Sequence, residues 1–216
     1  MKKYSAELIG TFALLFFGTG ASIINQEPGG EITSLGVAIT FGLIVMTLIY
    51  SLGNISGCHI NPAVTIAFAA AKKFKFKEVF PYIVSQLAGA FLASITLKYL
   101  FPHSDTLGAT FPAGPAMQSF VMEIILTFIL MLVILNVATG SKENGMFAGL
   151  AIGTVVLLEA LFAGPISGAS MNPARSIAPA IVSGHMESLW VYILAPILGA
   201  VLAIPVGNFI NDNKKK

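Results

Sequence analysis

Long apolar runs alternate with short polar stretches along all 216 residues of the chain. A helix needs about 20 consecutive apolar residues to cross the hydrocarbon core of a bilayer. Six runs come close to that length, at residues 6–24, 34–52, 80–100, 119–138, 146–163 and 189–209. The pattern therefore predicts an all-α membrane protein with six transmembrane helices.

Two further apolar segments are too short to cross and are interpreted as re-entrant half-spans. They cover residues 56–71 and 167–183. Both begin with the same pattern, Ser-Gly-x-x-x-Asn-Pro-Ala, at residues 56–63 and 167–174. The shared pattern indicates an internal duplication.

A second match supports the duplication, since Glu-x-x-x-Thr-Phe begins at Glu7 and again at Glu123. The chain is therefore predicted to be a single domain, residues 1–216, with internal repeats at about 5–100 and 118–210. Each repeat holds three spans, an odd number, so the two halves must lie in opposite orientations. An inverted 3+3 repeat of this kind places a functional site near the bilayer midplane.

Each Asn-Pro-Ala box predicts the start of a short helix, because Asn is a favoured N-cap and Pro a favoured first helical residue. The two half-helices, residues 62–71 and 173–182, meet end to end as a seventh, broken span. Because the halves are inverted, both positive helix ends point at the membrane centre and oppose cations. The boxes are Asn61, Pro62, Ala63 and Asn172, Pro173, Ala174.

The residues before each Asn are predicted to be non-helical and to expose backbone carbonyl groups. Within a bilayer such groups are tolerated where they line a wet cavity, so these residues form a candidate pore wall. We expect Cys58 to be inert packing, whereas His59 either lines the inner mouth or packs as a core histidine. The wall residues are Gly57, Cys58, His59, Gly168 and Ser170.

Arg175, the only arginine in the chain, lies inside an apolar half-span. A charge at that depth costs at least about 3 kcal/mol, which favours a role in the pore over snorkelling to the outer interface. Glu7 and Glu123 lie in full spans, where we expect them to accept hydrogen bonds from the re-entrant backbone rather than to relay protons. Glu159 has no such assignment and is expected to face a neighbouring segment.

Composition agrees with a membrane protein and excludes several functional classes. Charged residues make up 10% of the chain, against about 25% in soluble domains. A net charge of +2, with basic residues in loops and tails, excludes nucleic-acid binding. One cysteine permits neither an internal disulfide nor a thiolate metal cluster, and the sequence shows no catalytic triad or phosphate-binding loop. No metal, cofactor or enzymatic activity is therefore predicted.

Lysines indicate the orientation through the positive-inside bias. They occur at the N-terminus, at residues 72–77, at Lys142 and at residues 214–216, whereas the loops at Glu27 and at residues 102–115 carry none. The chain is therefore predicted to be a multi-pass protein of the cell membrane with both termini in the cytoplasm.

The paired boxes, the second continued as Asn-Pro-Ala-Arg-Ser at residues 172–176, resemble those of the aquaporin or major intrinsic protein family. The stretch 164–176 is similar to the nodulin-26-like branch. This resemblance implies a homotetramer in the lipid bilayer, in which each subunit has its own pore and a narrow outer filter of four side chains. Carried over by spacing from the boxes, the filter positions are Phe41, Ala160, Ala169 and Arg175.

The filter departs from the patterns of other branches. Water-selective members have a histidine at the position of Ala160, and glycerol facilitators typically have a second aromatic side chain, whereas this chain has neither. The nodulin-26-like resemblance implies a passive channel for water and small uncharged solutes that excludes ions and protons. Glycerol, urea and undissociated metalloid acids such as arsenous acid are the solutes it implies.

Two other functions stay open at the level of sequence. Phe41 differs from the tryptophan or small residue of plant nodulin-26-like members, and by narrowing the pore it would give a strictly water-selective channel. A secondary transporter also has inverted repeats and broken helices. Coupled transport needs a titratable or cation-binding group in the pathway, however, and the acids at positions 7, 123 and 159 lie on full spans.

Overall fold

The computed structural model describes residues 1–26, 29–138 and 145–212, among which there is no strand. Six helices in this part of the chain are long and apolar enough to cross a membrane, which confirms the predicted fold class. Glu27, Lys142 and residues 214–216, used in the orientation prediction, lie outside the described residues. The elements are α1 (Lys2–Gln26), α2 (Thr33–Ser56), α3 (Pro62–Ala70), a 3₁₀ turn (Phe76–Glu78), α4 (Val79–Leu100), α5 (Ala116–Val137), α6 (Ala148–Ser167), α7 (Pro173–Ser183) and α8 (Leu189–Asp212).

Two of the long helices end later than hydropathy predicts. α2 runs to Ser56 and α6 runs to Ser167, so the first residue of each predicted half-span belongs to the preceding long helix. Each serine hydroxyl donates a hydrogen bond to a buried carboxylate, which makes a polar residue stable there. Each helix stops at the following glycine, Gly57 at φ 85° or Gly168 at φ 81°, a left-handed conformation that favours glycine.

The long helices pack as two related sets of three. α1 packs against α2 and α4, α5 packs against α6 and α8, and the halves join along α2 and α6. A Cβ at Gly42 would lie 2.7 Å from the carbonyl oxygen of Gly153, and a Cβ at Gly153 would lie 2.6 Å from that of Gly42. The two backbones therefore approach closely where small residues permit it.

Each half-helix crosses to the other half of the molecule. α3 packs against α8, the last helix of the second half, and α7 packs against α4, the last long helix of the first. α3 and α7 also contact each other. This exchange brings the two Asn-Pro-Ala boxes together and completes the inverted repeat.

The distribution of polar groups is the reverse of that in a water-soluble protein. Large apolar side chains such as Ile9, Leu43 and Phe162 are 56%, 49% and 65% exposed. Glu7 and Glu123, by contrast, are fully buried. The apolar exterior suits lipid, and the buried carboxylates lie next to the two boxes.

Candidate functional site

Asn61 and Asn172 form the N-caps of the two half-helices. Both have an extended backbone, with φ of −157° and −150°, and both precede a proline at the first helical position. The Oδ1 atom of Asn61 accepts the backbone N–H of Ala63 at 2.9 Å, and that of Asn172 accepts the N–H of Ala174 at 3.0 Å. The side-chain oxygens are thus used to start the helices.

The side-chain amides connect the two boxes to each other. Asn61 Nδ2 donates to the carbonyl oxygen of Met171 at 2.7 Å, and Asn172 Nδ2 donates to that of Ile60 at 2.8 Å. An amide nitrogen carries two hydrogens, so each asparagine has a second N–H beyond this cross-bond. Both side chains line a cavity, into which that N–H can donate.

The segments before the asparagines share an unusual backbone conformation. Cys58 and Ile60 have φ of 48° and 44°, and Ala169 and Met171 have φ of 42° and 54°. Residues with a Cβ rarely occupy the left-handed region, and such conformations persist where the surroundings fix them, often at functional sites. In each half a buried glutamate supplies that constraint.

Glu7 of α1 holds the first segment through four hydrogen bonds. Its Oε1 atom accepts the hydroxyl of Ser56 at 2.7 Å and the N–H of His59 at 2.9 Å. Its Oε2 atom accepts the N–H of Ile60 and the side-chain amide of Gln86, both at 2.7 Å. All the groups involved are buried.

Glu123 of α5 makes the equivalent contacts in the second half. Its Oε1 atom accepts the hydroxyl of Ser167 at 2.8 Å and the N–H of Ser170 at 2.9 Å. Its Oε2 atom accepts the N–H of Met171 at 2.7 Å. The two carboxylates therefore fix the backbone that leads into each box.

The two boxes lie in the wall of a narrow cavity of about 110 Å³, which we call the box cavity. A second cavity of about 290 Å³, the mouth cavity, is lined by polar residues from the end of α1 and the start of α2. Of the expected wall residues, Gly57, Cys58, His59 and Ser170 line the box cavity, whereas Gly168 lines the mouth cavity. The two Asn-Pro-Ala boxes and the mouth are therefore lined by different parts of the two segments.

Four residues line both cavities and so mark their junction. They come from three helices and from the segment before the second box, positions that are distant in sequence. The four, which we call the filter quartet, are Phe41, Ala160, Ala169 and Arg175.

Arg175 is the polar member of the filter quartet, and it is only 5% exposed. Its Nη1 atom donates to the carbonyl oxygen of Gly108 at 2.7 Å, and its Cζ atom lies 5.1 Å from the centroid of the Phe41 ring. The side chain therefore points across the junction of the cavities rather than out to the membrane surface. A guanidinium group, an aromatic ring and two methyl groups therefore line the junction of the cavities, and the guanidinium is its one charged side chain.

The profile of the family described as Major intrinsic protein matches residues 1–206. The chain belongs to the major intrinsic protein family. Membership in this family places it among channels for water and small solutes rather than among enzymes.

Individual members of the family match along the full chain. "Aquaporin NIP1-1" from Oryza sativa subsp. japonica is 49% identical over 216 residues, which cover 100% of this chain and 76% of that protein. "Nodulin-26" from Glycine max is 46% identical, covering 100% of this chain and 80% of that protein. Among solved structures, the aquaglyceroporin from Plasmodium falciparum has a TM-score of 0.87 at 28% identity and covers 99% of this chain and 98% of that chain.

Cys58 and His59 both border the box cavity of this aquaporin-family chain. His59 also packs against aromatic side chains, since the centroid of its ring lies 4.8 Å from the ring centroids of Phe68 and Phe74. Its Nδ1 atom lies 3.1 Å from Thr65 Oγ1. His59 therefore both lines the box cavity and packs among aromatic rings. Among the described residues no group of three or more His, Cys, Asp or Glu side chains could hold a metal ion.

Glu159 precedes Ala160, which lines both cavities, but Glu159 itself belongs to neither cavity wall. It is buried, and within the described ranges neither carboxylate oxygen has a hydrogen-bond partner. The structure therefore places it inside the helix bundle, without the supporting bonds that Glu7 and Glu123 make.

Two residues that shape the site, Gly108 and Thr110, belong to no recognisable motif. Gly108 orients Arg175, and the hydroxyl of Thr110 is 2.7 Å from that of Ser176, which is in turn 2.6 Å from that of Ser170. This hydroxyl chain ties the loop between α4 and α5 to the second box. No local sequence signal marks Gly108 or Thr110, because each acts through a contact with a residue more than 60 positions away.

Proposed function

We propose that the chain is a passive channel for water and for small uncharged solutes, among them glycerol, urea and undissociated metalloid acids such as arsenous acid. The observation that carries this proposal is the filter quartet, which sits where the two cavities meet. The side chains of Ala160 and Ala169 contribute only methyl groups to this junction. A hydroxylated solute can rest its carbon side on Phe41 while a hydroxyl accepts a hydrogen bond from Arg175.

Exclusion of ions and protons is part of the same proposal. α3 and α7 begin at asparagines that contact each other's segment, so two positive helix ends converge on the box cavity. Arg175 adds a full positive charge at the filter quartet. Glu7 and Glu123 are engaged as hydrogen-bond acceptors, and Glu159 lies off the two cavity walls. This leaves no carboxylate among the residues lining these two cavities, which disfavours a coupled transporter.

The proposal extends to assembly and placement. We expect one channel domain with repeats at about 5–100 and 118–210, in a homotetramer with one pore per subunit. We also expect a multi-pass protein of the cell membrane with both termini in the cytoplasm. The apolar exterior of the long helices supports embedding in lipid, and the lysines at one end of α1 and before α4 support the orientation.

Flux into reconstituted vesicles tests the proposed solutes. Wild-type protein should conduct water, glycerol and arsenous acid, each without an ion gradient. Ala160→His adds a ring and a polar edge to the filter quartet, so it should suppress glycerol and arsenous acid entry while sparing water. Ala160→Ser, which keeps the side chain small, is the matched control and should retain glycerol flux. A histidine variant with unchanged glycerol flux would contradict the proposal that solutes pass beside Ala160.

A strictly water-selective channel is the second candidate. The observation in its favour is the 5.1 Å separation between Arg175 Cζ and the centroid of Phe41, which narrows one side of the junction. Wild-type vesicles that pass water but exclude glycerol and arsenous acid would establish this alternative.

A further inference from the structure

A basic and aromatic segment connects α3 to α4, and its side chains divide into an inward and an outward set. Residues 72–80, which we call the Lys-Phe segment, read Lys-Lys-Phe-Lys-Phe-Lys-Glu-Val-Phe. Phe74 points inward, and the centroid of its ring lies 4.7 Å from that of Tyr82 and 4.8 Å from that of His59. Phe76 and Phe80 point outward and are 85% and 76% exposed.

Two of the contacts that hold the Lys-Phe segment against the rest of the fold involve Phe74 and Glu78. One is the packing of Phe74 beneath it. The other is Glu78, whose Oε2 atom lies 2.8 Å from Lys3 Nζ and accepts the hydroxyl of Tyr4 at 2.6 Å. The outward side chains are therefore presented by a fixed backbone rather than by a loose tail.

The pairing of Glu78 with Lys3 leaves the exposed surface of the Lys-Phe segment basic. Glu78 is the one acid of the Lys-Phe segment, and its charge is paired with Lys3. Lys72, Lys75 and Lys77 are exposed, and in the described part of the chain none of their ammonium groups forms a salt bridge. Three exposed lysines thus share this segment with two exposed aromatic rings.

We propose that the Lys-Phe segment binds the phosphodiester headgroup of an anionic membrane lipid. Phe76 lies in the 3₁₀ turn and Phe80 in the first turn of α4, so both exposed rings lie where the chain enters a membrane-spanning helix, near the boundary between headgroups and acyl chains. Lysines at that boundary attract anionic lipid headgroups. A second copy of this chain fits poorly, because its identical segment would bring lysines against lysines.

Tryptophan fluorescence tests this binding in the intact protein. The reporter is Phe80→Trp in a Trp190→Phe background, reconstituted into mixed vesicles of phosphatidylcholine and phosphatidylglycerol. Brominated acyl chains, which quench tryptophan on contact, are carried by one lipid or the other. Quenching should favour the brominated anionic lipid by about fivefold for each lysine that engages a headgroup. Adding Lys72→Gln, Lys75→Gln and Lys77→Gln to the reporter, which removes all three lysines, should bring the preference close to one.

The wild-type protein supplies the matched control. Its single tryptophan, Trp190, lies at the start of α8 in a stretch without lysine or arginine, so it should show no preference between the two lipids. Equal quenching of the Phe80→Trp reporter by both lipids would overturn the proposal. So would the absence of quenching by either lipid, which would mean that protein covers this surface.

A further measurement distinguishes binding of the lipid headgroup from binding of a free anion. Exchanging chloride for inorganic phosphate at constant ionic strength should leave the quenching preference unchanged, and its loss would show a site for free phosphate instead. Because the measurement reads lipid contact and not flux, its outcome is independent of the proposed solutes.

Discussion

Replacing Glu123 by Gln tests how much the buried carboxylate stabilises the backbone that leads into the second box. In the wild-type protein its two oxygens accept three donors, from Ser167, Ser170 and Met171, at 2.7 to 2.9 Å. A glutamine amide has the same shape but one oxygen and one NH₂ group. Whichever way it is placed, the NH₂ group faces at least one N–H donor.

The cost follows from those three bonds. At least one buried N–H loses its acceptor, which costs about 1–3 kcal/mol, and the remaining bonds lose their charge assistance at about 1 kcal/mol each. The variant should therefore be less stable by about 2–5 kcal/mol. For a chain of this length, about 2–4 °C per kcal/mol gives a fall of at least about 4 °C in melting temperature.

Glu159→Gln is the matched control, because it makes the same chemical change in a buried carboxyl group. Among the described residues Glu159 has no hydrogen-bond partner to lose, so its variant should melt close to the wild-type temperature. Thermal unfolding of the three purified proteins in one detergent, followed by intrinsic fluorescence, measures the difference. A Glu123→Gln variant that melts like wild type, or a Glu159→Gln variant that loses as much, would refute the assigned support.

Two further variants test the filter quartet by flux. Gly18→Ala should lower glycerol permeability by roughly tenfold, because a Cβ at residue 18 would overlap the Phe41 ring and push it toward the pore, and one methyl group too many costs about 1–3 kcal/mol in a tight site. The control is Gly20→Ala, whose Cβ would meet only ordinary contacts and which should leave glycerol flux unchanged. Equal effects of the two variants would refute this role of residue 18. Arg175→Val should raise sodium leakage in a tracer assay while water flux is kept or increased, and a folded variant with wild-type ion exclusion would show that the guanidinium is not the barrier.

Much of the fold follows from local sequence patterns. The six apolar runs predict the six long helices, because crossing lipid requires a length that few other structures share. The boxes predict two helix starts, since Asn caps a helix and Pro fits its first position. The ends of α2 and α6 were predicted too early because Ser56 and Ser167 are polar, yet both are hydrogen-bonded to carboxylates from other helices.

Some residues of the candidate site were predicted from the sequence and others were not. The structure brings Asn61 and Asn172 together. The four residues at the cavity junction were named through the resemblance to the aquaporin family, whose filter positions were carried over by spacing from the boxes. Gly108 and Gln86 were not named, because each acts through a contact with a residue more than 60 positions away, and no local pattern marks such a pair. The fit of Phe41 against Gly18 likewise depends on how α1 and α2 pack, which hydropathy does not specify.

Passage of neutral solutes without ions is tested most directly by measuring glycerol and proton permeability on the same reconstituted vesicles. Glycerol entry, followed by light scattering, should rise in proportion to the protein content of the vesicles. Proton entry, followed by a trapped pH-sensitive dye under an imposed pH gradient, should stay at the level of protein-free vesicles. A proton flux that scales with protein content, or glycerol entry that does not, would contradict a passive channel with a positive barrier at Asn61, Asn172 and Arg175.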